Sequence, residues 1–243
     1  MKAFPVYGLT LLIIAGVWFV LNHLVGVSSY FLPGMGSVFE SLIQNTHLLW
    51  FNFLMSFAEA SLGLVLALLF ACFLGVLCYF SKTLLKLLHP LVLISQALPM
   101  LAIAPLIVLW LGIGLESKLV IVVLSLFFPI FATFVEGLEH VNPLHLDLAY
   151  TMQATKIRKF YHLVLPSVFP YLAAGIKISV TWSILAAIVA EWVGGSVGLG
   201  FLMQNALSRL DTPLLFASLV LLVVGTLLFY GAVSWVLSLV LKS

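Results

Sequence analysis

Between Phe53 and Phe80 the chain carries a single charged side chain, Glu59. A stretch so long and so apolar suits the hydrocarbon of a bilayer, which an α-helix of about 20 apolar residues can cross. No water is available there, so every backbone N–H and C=O must pair within the protein, and a helix does this within one segment. The rest of the 243-residue chain repeats the pattern, with 64% hydrophobic and 7% charged residues, where soluble domains average about 45–50% and about 25%. Six apolar runs, at about 7–27, 53–80, 90–111, 119–138, 168–193 and 213–241, predict an all-α polytopic membrane protein with six transmembrane helices in one domain, residues 1–243. The first run has no small-x-small cleavage site and reads as a retained span rather than a removed leader.

Basic residues orient such a chain. Lys2, Lys82, Lys86, Lys156, Arg158, Lys159 and Lys242 flank the runs on one side, and Lys118 and Arg209 on the other. Both termini and the segment 146–166, between helices four and five, are therefore expected in the cytoplasm. On the opposite side, Val38, Leu42, Ile43 and Leu49 follow roughly helical spacing and predict an interfacial helix, with Trp50 at the headgroup level. Residues 194–212 begin "GGSVGLG", whose glycines permit a tight non-helical backbone. Such backbone is tolerated at the membrane only where protein or water satisfies it, which places this element over a cavity.

Few residues carry chemistry. No Gly-x4-Gly-Lys-Ser/Thr loop occurs, so the chain is not itself an ATPase of that class. The six histidines are scattered and no HExxH occurs, so no metal site and no catalytic residue is assigned. Cys72 and Cys78 lie in one apolar run but on different helical faces, as two small apolar side chains would. A net charge of +2 gives no reason to expect nucleic acid. Glu59, Lys177 and Glu191 fall within or near the apolar runs, where an ionised group costs roughly 2.5–3.5 kcal/mol near the bilayer centre and usually faces a partner or a wet cavity. Glu59 and Glu191 are candidates for a solute path; the alternative is a boundary charge or an interhelical tie. Ser95 and Gln96 join them as candidates, one turn before Pro99, because proline frees backbone groups that must find other partners.

The segment "LDLAYTMQATKIRKFYHLVLP", 146–166, is basic and amphipathic between apolar spans. Asn142-Pro143 is a helix start, with Asn as cap and Pro at the first helical position. Leu144, Leu148 and Met152 then share one face. Thr155 can cap a second short helix that ends near Pro166, giving two short helices outside the membrane. Spacing alone leaves two uses open: holding the loop at an anionic leaflet, or docking a partner.

This segment resembles the EAA-type loop of permease subunits in type I ABC importers, whose pattern is roughly Glu-Ala-Ala, three residues, Gly, nine residues, Ile-x-Leu-Pro. Asp147, Leu148 and Ala149 take its first three places, Gln153 stands at the glycine, and Leu163, Leu165 and Pro166 close it. "LPMLAIAPLIVLWLGIG", "FFPIF" and "AEWVGGSVGLGFLM" resemble the branch serving nitrate, taurine, sulfonate and thiamine-precursor uptake. Glu59 and the stretch following Ala190 look most like permeases proposed for hydroxymethylpyrimidine. The resemblance implies a non-enzymatic subunit in the bacterial inner membrane, working with a second permease copy, a pair of ABC ATPase subunits and an extracytoplasmic substrate-binding protein. ATP and Mg would sit on the ATPase, with no cofactor in this chain. Asp147, Leu148, Ala149, Gln153, Ala154 and Thr155 would form the ATPase-docking end. The rival readings are a self-sufficient ion-coupled transporter, suggested by Glu59 and Glu191, and an intramembrane enzyme, for which no nucleophile and base converge in the pattern.

Overall fold

The computed structural model describes residues 13, 16–22, 28–97 and 99–241, apart from the side chains of His89, Leu93 and Ser95 to Ala97. The predicted first span, 7–27, lies largely outside the described residues. Every regular element among the described residues is helical: α1 Met35–Gln44, α2 Thr46–Phe80, α3 Lys82–Ala97, α4 Met100–Leu111, α5 Leu115–Glu139, α6 Pro143–Thr151, α7 Lys156–Lys159, α8 Leu165–Gly194, α9 Leu199–Ser208 and α10 Thr212–Val240. A π-turn, Phe160–Val164, joins α7 to α8 without a break, so Lys156–Gly194 is one 39-residue rod, about 60 Å long. Among the described residues, four helices are long and apolar enough to cross a membrane: α2, α5, the α7–α8 rod and α10. α4 is a shorter apolar helix.

The bundle is built on α5 and α8, which share the most extensive contact, with α2 packed across both. Small side chains make this possible. Ser56, Ala60, Gly63, Ala67, Ala71 and Gly75 recur every three or four residues along α2, and all are buried. That stripe lets backbones approach where lipid gives no hydrophobic drive for association and close packing must hold the helices together. A Cβ on Gly63 would overlap Val122, and one on Gly75 would overlap Phe134, both on α5. α8 buries Ala173, Gly175, Ser179, Ser183, Ala187 and Ala190 and is the most enclosed of the four long helices. α10 is the most peripheral.

Three expectations need correction. The run 90–111 is not one helix: α3 ends at Ala97, and Pro99 is extended with ψ 122° as the N-cap of α4. Proline supplies no N–H to continue the ladder, and its ring clashes with the carbonyl four residues earlier. The second loop helix does not end near Pro166. It starts at the predicted cap, where the Arg158 N–H donates to Thr155 Oγ1 at 3.3 Å, and then runs on into α8. The π-turn just before Pro166 widens the helix and accommodates the ring and the missing donor. Finally, the predicted interfacial helix is two elements: Val38, Leu42 and Ile43 lie on α1, whereas Leu49 and Trp50 belong to the start of α2 beyond a break at Asn45.

Candidate functional site

The polar residues of the bundle converge at the end that carries the glycine loop. Asn52, Ser56 and Glu59 occupy one face of α2 at spacings of four and three, a pattern legible in the sequence once a polar stripe is sought inside an apolar run. Glu191, on the last turns of α8, is fully buried, with 0% of its surface exposed. Its Oε1 accepts from Ser56 Oγ at 2.5 Å, and its Oε2 accepts from the Gly200 N–H at 2.6 Å. The Leu199 N–H donates to Ser56 Oγ at 2.7 Å, and the Gly198 N–H donates to Asn52 Oδ1 at 2.8 Å. The first N–H groups of a helix have no intrahelical partner. For α9, side chains from α2 and α8 fill that role at three consecutive residues.

The glycines of "GGSVGLG" are shaped by this arrangement. Gly198 has φ 117°, a region L side chains rarely adopt, and a Cβ there would overlap the Glu191 carboxylate. Below this latch, Glu59 Oε1 accepts from Lys118 Nζ in an ion pair buried between α2 and α5. Lys118, which the sequence places as a flanking charge on the outer side, is only 5% exposed and belongs to the first turn of α5. A cation at that depth needs a partner, and Glu59 supplies it. Glu59 Oε2 is buried with no hydrogen bond.

At the opposite end of the rod the 143–159 elbow stands exposed. Asn142 Oδ1 accepts from the Leu144 N–H at 2.9 Å, and Pro143 opens α6, as its sequence predicts. α6 ends in a Schellman turn: the Ala154 N–H donates to Ala149 O at 3.0 Å and the Gln153 N–H to Tyr150 O at 3.0 Å. Gln153 therefore sits in the left-handed region, φ 53°, the position where glycine is the usual residue. Lys159 lies 5.0 Å over the Tyr150 ring and ties α7 back to α6. Ala149 is buried beneath the elbow, while Leu144, Leu148, Tyr150, Met152 and Ile157 present an apolar surface to the outside. Asp147, Gln153 and Thr155 are exposed, and Ala154 is half-buried.

A cavity of about 500 Å³ lies midway, between the start of α4, the middle of α5 and the outward face of α8. Met100, Ser125, Phe128, Pro129, Ile178 and Trp182 are among its walls. Of the sequence-derived path candidates, Glu59 and Glu191 do not line it; both are engaged in the latch and ion pair. Ser95 and Gln96 belong to the last turn of α3, and their side chains lie outside the described residues. Asn52, Ser56 and Lys118 are the site residues that sequence reading misses, together with the aromatic lining of the cavity. No group of three or more His, Cys, Asp or Glu poised for a metal occurs among the described residues.

Among the described residues the chain is an all-helical bundle with an exposed elbow, a continuous rod and a half-open cavity. Residues 63–242 match the family described as binding-protein-dependent transport system inner membrane component. The chain belongs to that family and is an importer permease of the ABC class. It is 38% identical over 221 residues, 91% of this chain and 90% of the relative, to a probable ABC transporter permease protein of Haemophilus influenzae. To the formylaminopyrimidine transport permease protein ThiX of Halalkalibacterium halodurans it is 32% identical, covering 89% of this chain and 87% of the relative. To the taurine transport system permease protein TauC of Escherichia coli it is 30% identical, covering 91% and 84%. Two solved structures share the fold: an amino acid ABC transporter, with TM-score 0.66 at 16% identity over 84% of this chain and 97% of that one, and the MetNI methionine ABC transporter, with TM-score 0.63 at 21% identity over 80% and 95%.

Proposed function

We propose that residues 1–243 form a single permease domain of an ATP-driven importer for a small organic solute, with a hydroxymethylpyrimidine-type thiamine precursor as the first choice and sulfonate, taurine or nitrate as the alternatives. Six spans place both termini and the elbow in the cytoplasm of a cell bounded by an inner membrane. An ABC ATPase pair carrying ATP and Mg docks on the elbow end formed by Asp147, Leu148, Gln153, Ala154 and Thr155, with Ala149 packed beneath them. An extracytoplasmic binding protein delivers the solute, and a second copy of the permease completes the path.

The observation that carries this reading is the exposed apolar elbow joined without interruption to the α7–α8 rod. Leu144, Leu148 and Met152 would be covered by a groove on the ATPase, removing apolar surface from water at about 25 cal/mol per Å². Nucleotide-driven closure then biases a two-state bundle by moving the rod, whose far end holds the α9 latch. The similarity to a relative named for formylaminopyrimidine transport supports the choice of solute class.

The test is uptake into proteoliposomes holding the permease alone or with its ATPase and binding protein. The reading expects uptake only from the full assembly and only with internal ATP. Uptake by the permease alone, abolished by an ionophore and indifferent to ATP, would establish the ion-coupled alternative instead.

A further inference from the structure

We propose that the cavity between α4, α5 and α8 is where the permease contacts its solute, and that it takes an uncharged, planar nitrogen heterocycle the size of a pyrimidine. The inference rests on the importer reading above and narrows its solute class. Volume comes first: about 500 Å³ lies within the roughly 300–1,000 Å³ of small-molecule sites and leaves room for a single ring with short substituents. The walls suit such a ring. Trp182 and Phe128 offer aromatic faces and Met100 a polarizable sulfur, while Ser125 brings the polar groups. The Ser125 hydroxyl donates to Ile121 O at 2.8 Å, which turns its lone pairs into acceptors. Pro129, four residues on, has no N–H to give the Ser125 carbonyl, so that oxygen is a second acceptor on the same wall. Two acceptors beside two ring faces complement the amino and hydroxyl hydrogens of an aminopyrimidine.

Charge separates this solute class from its alternatives. Among the described residues, no Asp, Glu, Lys, Arg or His lines the cavity. The nearby carboxylates of Glu59 and Glu191 are held by Lys118, Ser56 and Gly200. A sulfonate or nitrate would pass Trp182 with no cation in the wall. Lys177, half-buried on α8, is five residues earlier, about 7.5 Å along the axis toward the elbow. The face is also unlike a lipid contact: Lys177 is partly exposed beside Trp182 and Ile178, and an ionisable group inside a membrane marks protein or water rather than hydrocarbon.

The experiment uses the full assembly in proteoliposomes, with labelled 4-amino-5-hydroxymethyl-2-methylpyrimidine and labelled taurine as probes. Wild type is expected to take up the pyrimidine with ATP and to leave taurine outside. Trp182→Ala should lower pyrimidine uptake at subsaturating concentration by about tenfold, the worth of one base–aromatic stack, Trp182→Phe should restore most of it, and Lys177→Gln should change it little. In a background with Cys72 and Cys78 replaced by alanine, Ser125→Cys should label with a thiol reagent more slowly during pyrimidine turnover, and no more slowly with taurine. If neither probe enters with ATP, the pyrimidine class is overturned and the cavity assignment with it, while the importer reading stands with its other solutes. Taurine uptake that collapses in Lys177→Gln overturns the solute class alone. ATP-driven pyrimidine uptake undiminished in Trp182→Ala, or labelling of Ser125→Cys unaffected by the pyrimidine, overturns the cavity assignment and leaves the importer reading standing.

Discussion

Gln153 shows how much one backbone angle can demand. Its left-handed φ of 53° closes the Schellman turn at the end of α6, and a residue with a Cβ gives up about 1 kcal/mol there relative to glycine. Gln153→Gly should therefore tighten the elbow, visible as roughly fivefold slower hydrogen exchange at the Ala154 amide, the equivalent of about 0.9–1 kcal/mol. An unchanged or faster rate would mean that the glutamine side chain holds the turn by other contacts. At the other end of the rod, Glu59 and Lys118 form the buried ion pair. Removing one partner strands the other charge at a cost of about 3–5 kcal/mol, whereas replacing both with apolar residues of similar size is about neutral. Glu59→Leu alone and Lys118→Met alone should each lower the thermal midpoint sharply, and the double variant should recover most of it. The free thiols Cys72 and Cys78 provide the readout with a thiol-reactive dye. A double variant as unstable as the sum of the singles would argue against mutual charge compensation.

Element by element, the structure is governed by which backbone groups lack partners. α9 exists in its place because Asn52, Ser56 and Glu191 receive its first N–H groups. Glu191→Ala leaves the Gly200 N–H unpaired and Ser56 without its acceptor, each a buried loss of about 1–3 kcal/mol. Hydrogen exchange across residues 198–202 should accelerate at least tenfold while α10 stays protected; protection unchanged in both would show that the latch is not what holds α9. Thr155→Ala should fray the first turn of the rod by about 1 kcal/mol, and Thr155→Ser should not. Local chemistry of this kind is readable from sequence, and so the caps at Asn142 and Thr155 and the helical character of the long runs are legible there. The break at Pro99 is not, since a proline inside an apolar run fits either a kink or a stop until packing decides. Lys118 reads as a flanking charge because its partner is 59 positions away in the chain, and no local rule joins them. Trp182 and Phe128 look like any lipid-facing aromatics until α5 and α8 are seen to share a cavity wall.

At the scale of the whole molecule, the unbroken helix from Lys156 to Gly194 joins the two ends. Its lower end begins at the exposed elbow, its middle forms one wall of the cavity, and its upper end holds Glu191 against α9. A tilt or rotation of that rod moves all three together, which is how a force applied at the elbow would change access to the cavity. The measurement that bears most directly on this account is the ratio of solute taken up to ATP hydrolysed in the reconstituted assembly, compared between wild type and Ala154→Glu. A buried-edge charge at Ala154 should disrupt docking, so uptake should fall by at least tenfold while the permease remains folded and membrane-inserted and the ATPase hydrolyses without coupling. Uptake and coupling ratio equal to wild type in Ala154→Glu would contradict transmission through the elbow.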